Sequence, residues 1–144
     1  LVKMVLNIDG KNLILGRLAT VVAKKALLGE TVNVFNCDSV VITGGKAHLC
    51  AEYKRKREMG THSTGPFHAR VPFKFVKRSI RGMIPYKKPK GREAFDRIKC
   101  FNNIPEEFKD SKLETIEKAN IDNSLMSAYL SIKEICKFMG GNVE

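Results

Sequence analysis

The chain has 144 residues and 43% hydrophobic content, the size of one ordinary domain and enough to bury a core. No run of about 18 apolar residues suggests a membrane span, and no charged-then-apolar leader is read at its start. Twenty-six Lys and Arg face fifteen Asp and Glu, a formal charge of +11. Residues 46–99 hold sixteen of the bases and only four acids, a net of +12, while the remainder nets −1. A solubility surface intersperses both signs. An imbalance confined to one segment is the electrostatic footprint of a polyanion partner.

The elements begin with MVLNI (4–8), a short apolar run closed by the turn pair Asp9-Gly10, which predicts a buried strand. In LGRLATVVAKKALLG, Leu15, Leu18, Val22 and Ala26 recur at helical spacing, and Gly29 stands where a C-terminal cap belongs. TVNVFN (31–36) and SVVIT (39–43) are short and β-branched. Strand, helix and strand within about 35 residues make a βαβ unit, which calls for a parallel pair and an α/β core.

After Gly44-Gly45, KAHLCAEYKRKREMG (46–60) predicts a helix with Leu49 and Tyr53 on one face and the cationic run Lys54, Arg55, Lys56, Arg57 near its end. THSTGPFHARVP (61–72), with His62, His68 and Arg70, has no sustained period and reads as an extended loop. Pro72 suits the first turn of the next helix. At 100° per residue, Phe73, Val76, Ile80, Met83 and Ile84 fall on one arc about 100° wide, and Lys74, Lys77, Arg78 and Arg81 on another centred about 120° away. One stripe is expected to bury and the other to face a ligand, since stacked like charges repel unless neutralised.

Gly82 and Pro85 are expected to end that helix. YKKPKGR (86–92) reads as a basic connector whose prolines restrict its freedom, REAFDRI (92–98) as one or two helical turns and KCF (99–101) as a further strand. The stretch 104–122 carries six acids against three lysines. In SIKEICKFMGG, Ser131 and Glu134 match a capping box, Ile132, Ile135, Cys136 and Met139 form an apolar stripe, and Gly140-Gly141 stop the helix. With no internal repeat or long linker, residues 1–144 are expected to form one domain, with a basic segment at about 46–99 and an acidic, amphipathic tail at about 104–144.

Enzyme motifs fail on spacing. Gly10 and Gly16 are separated by five residues rather than four, and Arg17-Leu18 stand where a phosphate-binding loop has Lys and a hydroxyl residue. Val40 and Ala47 break the second near-match around TGGKA (43–47). His48 and Cys50, two apart on a helix, point to different faces. Cys37, Cys50, Cys100 and Cys136 contain no CxxC pair, so reduced, mostly buried thiols are expected. A metal site from Cys37, Cys50, His48 and His62 remains a weak alternative at that spacing. No enzyme activity, cofactor, metal or small-molecule substrate is expected.

LILGRLATVVAKKALLGE (13–30), VVITG (40–44), RSIRGMIPYKKPKGREAFDRIKCF (78–101) and NIPEEF (103–108) together resemble the universal large-subunit ribosomal protein thirteen family. GPFHAR and IRGMIPYKKPKGREAF are similar to its archaeal and eukaryotic branch. The resemblance implies a three-layer α/β/α fold around a small, mainly parallel sheet, with a basic loop/helix segment and a C-terminal helix. It also implies a structural role in the large subunit of the cytosolic ribosome, with large-subunit ribosomal RNA and neighbouring ribosomal proteins as partners and no membrane. The family motif places Arg78, Arg81, Lys87, Lys88, Lys90 and Arg92 as RNA-facing, with Arg17 at the first helix start. Lys54, Arg55, Lys56, Arg57, His62, His68, Arg70, Lys74, Lys77, Tyr86 and Arg97 complete the expected RNA-binding set. Tyr86 and Phe67 are candidates for base stacking. Cys100 and Phe101 stand where the family usually has an aliphatic and an aromatic residue. Contacts of the long basic C-terminal extension of many eukaryotic members are not carried over.

Overall fold

A computed structural model describes residues 3–142. Strand β1 (Val5–Asp9), helix α1 (Leu15–Leu27) and strand β2 (Thr31–Phe35) form the expected βαβ unit, with β1 and β2 parallel and Val5 opposite Thr31. Strand β3 (Val41–Thr43), helix α2 (Lys46–Glu58), helix α3 (Pro72–Arg81) and helix α4 (Pro89–Asp96) then lead to β4 (Ile98–Cys100), which joins β2 in parallel. The three-stranded parallel sheet is ordered β1-β2-β4. Strand β3 pairs instead with β5 (Tyr129–Ser131) in a two-stranded antiparallel sheet. Nothing in the chain's periodicity marks β5, because three residues are too few to show a period of two. Helix α5 (Ile132–Phe138) closes the described fold. The class is mixed α/β with a small, mainly parallel sheet.

Alternation along β2 divides its side chains between two faces. Val32 and Val34 join the main core with Leu18, Val22, Val76 and Ile80 of α1 and α3. The other face is covered by aromatic stacking. Phe35 lies 5.3 Å from Phe101 and 5.2 Å from Phe108, the latter on a 3-10 turn (Glu106–Phe108) of the acidic tail. The tail is tied to the open edge of β1 by Asp9 N–H to the Glu114 carbonyl and Glu114 N–H to the Asn7 carbonyl, both 2.9 Å. Asn33, the one buried polar side chain among the described residues, donates its amide to Asn7 Oδ1 at 2.9 Å, which offsets its desolvation.

Helix α3 departs instructively from the simple two-stripe picture. Val76, Ile80 and Ile84 are buried, but Met83 is 45% exposed. The helix ends at Arg81, so the 100° step no longer governs residue 83, and Met83 lies in the turn beside Thr20. Phe75, outside the predicted apolar arc, is buried because α2 brings Tyr53 to 5.3 Å from its ring. Four apolar side chains buried at about 1.5–3 kcal/mol each outweigh about 1–2 kcal/mol of repulsion among the stacked cations.

The connector is shorter than expected. Pro89 opens α4, so Lys90, Gly91 and Arg92 are helical rather than loop. Gly91 is buried, and a Cβ there would overlap the Pro85 carbonyl. Its smallness permits a close backbone approach rather than flexibility. Gly141 acts similarly. It does more than stop α5, because a Cβ would overlap the Arg70 carbonyl of the 61–71 loop. The start of α5 is as expected: Ser131 Oγ accepts from Glu134 N–H, and the Glu134 carboxylate accepts from Ser131 N–H, both at 3.3 Å.

Cys37, Cys100 and Cys136 are buried, Cys50 is half-buried, and all four are unbridged. A hydrogen bond with the Cys100 thiol, together with burial, pushes the Cys37 thiol far above its ordinary range. Burial alone pushes Cys136 up to about 11. No described helix is long and apolar enough to cross a membrane.

Gly91→Ala is expected to lower stability by about 1–3 kcal/mol through overpacking against Pro85. Gly82→Ala, whose Cβ meets nothing nearer than 3.5 Å, should change it by less than about 0.5 kcal/mol; urea unfolding of both variants checks the contrast. The Arg97 guanidinium donates through Nε and Nη2 to the Ala26 carbonyl at 3.2 and 2.8 Å, closing the C-terminal end of α1. Arg97→Ala should therefore cost about 1–3 kcal/mol in the same assay.

Candidate nucleic-acid interface

The basic segment folds into three adjoining walls. Helix α2 supplies one, the 61–71 loop the second and α3 the third. The loop has no regular ladder of its own, so it is held by its neighbours: Arg78 Nη1 donates to the Phe67 carbonyl at 2.6 Å, and Phe73 N–H donates to Asn102 Oδ1 at 2.9 Å just past its end.

Three clefts open between these walls. The smallest, about 210 Å³, is lined by Tyr53, Lys56, His68, Ala69, Phe75, Arg78, Ser79 and Gly82. A second, about 450 Å³, has Arg57, His62, Phe67, His68 and Arg70 in its lining. A third, about 410 Å³, has Phe67, His68, Lys74, Lys77, Arg78, Arg81 and Phe95. His68 belongs to all three, and among the described residues no acidic side chain lines any of them. They form one cationic trough centred on His68.

The cations are braced by aromatic faces more than by carboxylates. Lys77 Nζ lies 4.7 Å from the Phe95 ring centroid, the Arg81 guanidinium 5.3 Å from Tyr86 and Lys56 Nζ 5.0 Å from Tyr53. Tyr86 in turn stands edge-on to Phe95 at 5.4 Å. A ring face orients a cation without cancelling its charge. Among the described residues, no carboxylate lies within 4.0 Å of Lys74, Lys77, Arg78, Arg81, Lys87, Lys88, Lys90 or Arg92. Their charges are therefore not cancelled by a described carboxylate, although Arg78 also donates to the Phe67 carbonyl.

The other expected positions divide between protein partners and open surface. On α2, Arg55 forms a two-pronged pair with Glu52 at 2.7 and 3.3 Å, and Lys56 lies 3.8 Å from the same carboxylate. The hydrogen bond from Arg55 holds the Glu52 carboxyl below its usual range, with Coulombic help from Arg55 and Lys56. Lys54 is exposed and lines none of the three clefts. Arg17 donates to the Lys118 carbonyl at 3.1 Å, joining α1 to the acidic tail. Lys90 lies in an apolar groove with Leu27, Leu28 and Met83. Lys87, Lys88 and Arg92 are exposed on or beside the connector. Arg97 is occupied at the end of α1.

His68 differs from the cations around it. Burial, then the charges of Arg78 and Lys56, lower its pKa below the ordinary 6.5, which favours the uncharged imidazole. A neutral imidazole both donates and accepts hydrogen bonds. Tyr53, Phe75, Ala69, Ser79 and Phe95 also line the trough but stand outside the expected site. Tyr53, four residues after Leu49 on the inward face of α2 and next to the cationic run, is the one that helical spacing could have indicated. Among the described residues, no three His, Cys, Asp or Glu side chains gather to hold a metal ion.

A family model described as ribosomal protein L13 matches residues 3–107, which include the whole trough. The large ribosomal subunit protein uL13 of Methanosarcina barkeri is 40% identical over 134 residues, covering 92% of this chain and 96% of the relative. That of Methanococcoides burtonii is 38% identical over 133 residues, with 92% and 96% covered. That of Archaeoglobus fulgidus is 37% identical over 134 residues, with 92% and 86% covered. Matches of that length cannot fit within residues 3–107, so these archaeal relatives also share part of the acidic tail. The chain belongs to the ribosomal protein L13 (uL13) family.

Proposed function

We propose that this chain is a structural, non-catalytic component of the large subunit of the cytosolic ribosome, where it binds large-subunit ribosomal RNA through the trough centred on His68 and supports subunit assembly. The observation that carries this reading is the absence of acidic residues from the lining of three adjoining clefts that bear Lys56, Arg57, Arg70, Lys74, Lys77, Arg78 and Arg81. Folded RNA brings phosphates close together, and a rigid cationic wall relieves their repulsion while releasing counterions. Arginine grips a phosphate through two N–H groups or stacks on a base, whereas lysine acts as a point charge. Lys87 and Lys88, on the turn between α3 and α4, extend the cationic surface beyond Arg81. The acidic stretch 104–114, which packs on Phe35 through Phe108 and pairs with the edge of β1, suits contacts with neighbouring proteins better than contacts with RNA.

If ~6–10 phosphates are neutralised, affinity for a large-subunit RNA fragment should fall by about 10³ to 10⁵ between 50 and 200 mM salt. A nearly salt-independent affinity measured by filter binding rejects the proposal. Sedimentation should place the protein with large subunits and release it only in high salt; a mainly free pool at low salt would count against it.

A variant carrying Lys74→Ala, Arg81→Ala, Lys87→Ala and Lys88→Ala removes charges with no carboxylate partner among the described residues and should keep the wild-type melting temperature. Its log–log salt slope should shrink by up to about 3 to 4. Arg97→Ala should leave that slope unchanged despite its stability cost. Unfolding of the four-site variant would show that these charges serve the fold instead.

A further inference from the structure

The small cleft at the meeting of α2, the 61–71 loop and α3 brings aromatic rings and cations together in the least space of the three. Its lining sets Tyr53, Ala69 and the largely buried Phe75 beside His68, Ser79, Lys56 and Arg78. The Tyr53 and Phe75 rings are 5.3 Å apart and tilted by 53°, and His68 stands edge-on to Tyr53 at 6.3 Å. Its volume of about 210 Å³ equals about seven waters at about 30 Å³ each, room for a small planar ring system. Apolar aromatic walls combined with cations suit a flat, apolar-faced group attached to anions.

We propose that this cleft receives one unstacked nucleobase of the bound RNA, while Lys56 and Arg78 hold its flanking phosphates. The inference rests on the RNA-binding reading above and specifies what part of the RNA enters this cleft. Unstacked bases are held on aromatic side chains and by hydrogen bonds to their edges. His68, which lines the cleft beside Tyr53, supplies an imidazole edge that in its neutral form both donates and accepts. The second and third clefts adjoin this one through His68, so the strand has a cationic path on either side. Phe67, shared by those two clefts and 67% exposed, offers a ring face for a neighbouring base.

The test compares single-stranded oligouridylate of seven nucleotides with inorganic polyphosphate of similar charge, a polyanion without bases. The chain has three histidines, so the His68 ring resonance is readily assigned by NMR. Oligouridylate should shift the His68 and Tyr53 ring resonances, and polyphosphate should shift them much less. Ala69→Leu fills the cleft without changing charge; it should weaken oligouridylate binding by about 10-fold and leave polyphosphate binding unchanged. Equal shifts with both probes, or none with bound RNA, would overturn the base-binding role while leaving the RNA-binding reading standing. Equal oligouridylate affinity for wild type and a folded Ala69→Leu variant would do the same. If Ala69→Leu does not fold, the wild-type resonance comparison decides alone. If neither polyanion binds at low salt, the RNA-binding reading fails and the base cleft fails with it.

Discussion

Mutual repulsion among the cations of α3 is the constraint around which the rest of this structure is arranged. Lys74, Lys77, Arg78 and Arg81 stand at helical neighbour positions with no described carboxylate in salt-bridge range. An isolated helix of this composition would be weakened by its own charge. Here Phe75, Val76, Ile80 and the following Ile84 are buried, and each contributes more than one repulsive pair removes. The apolar flank supplies the stability, and the cationic flank is left uncompensated.

The same economy extends to the surrounding elements. Phe95 and Tyr86 brace Lys77 and Arg81 with ring faces, so orientation is achieved without neutralisation. Arg78 is both a cation of the trough and a strut, since its bond to the Phe67 carbonyl fixes the loop that forms the facing wall. Gly91 allows α4 to press against the Pro85 carbonyl, and Gly141 allows the chain after α5 to press against Arg70. Rigid placement at both margins means that little ordering is left to occur when a polyanion arrives, which reduces the entropic cost of binding.

Charge is also separated by face. The chain from Phe101 to Phe108 covers the side of the sheet opposite α1 and α3 by stacking on Phe35, and the following acidic stretch is tied to β1 through Glu114. Its carboxylates therefore stay away from the trough lining. Arg17 binds a carbonyl of this tail, so a cation whose position at a helix start suggests phosphate binding also joins two parts of the protein. Arg97 is more fully committed, with two N–H groups on the Ala26 carbonyl.

Much of this was legible in the sequence, where the signal was periodic or compositional. The βαβ unit, the start of α3 at Pro72, the capping box at Ser131 and the charge excess in residues 46–99 follow from local spacing and local chemistry. Spacing also identified the cationic stripe of α3, because neighbours on a helix are set by its geometry alone. It misassigned Met83 because periodicity does not announce where a helix frays, and it overlooked Phe75 because the side chain that buries it belongs to α2. The pairing of β3 with β5 and the cleft around His68 were decided only by tertiary structure. The first joins segments far apart in sequence; the second is made by consecutive elements, and no local period records how such elements pack on one another. The sequence by itself determined which residues carry charge and which helix face must bury; the packing of α2, the loop and α3 decided which of those charges share a cleft with aromatic walls.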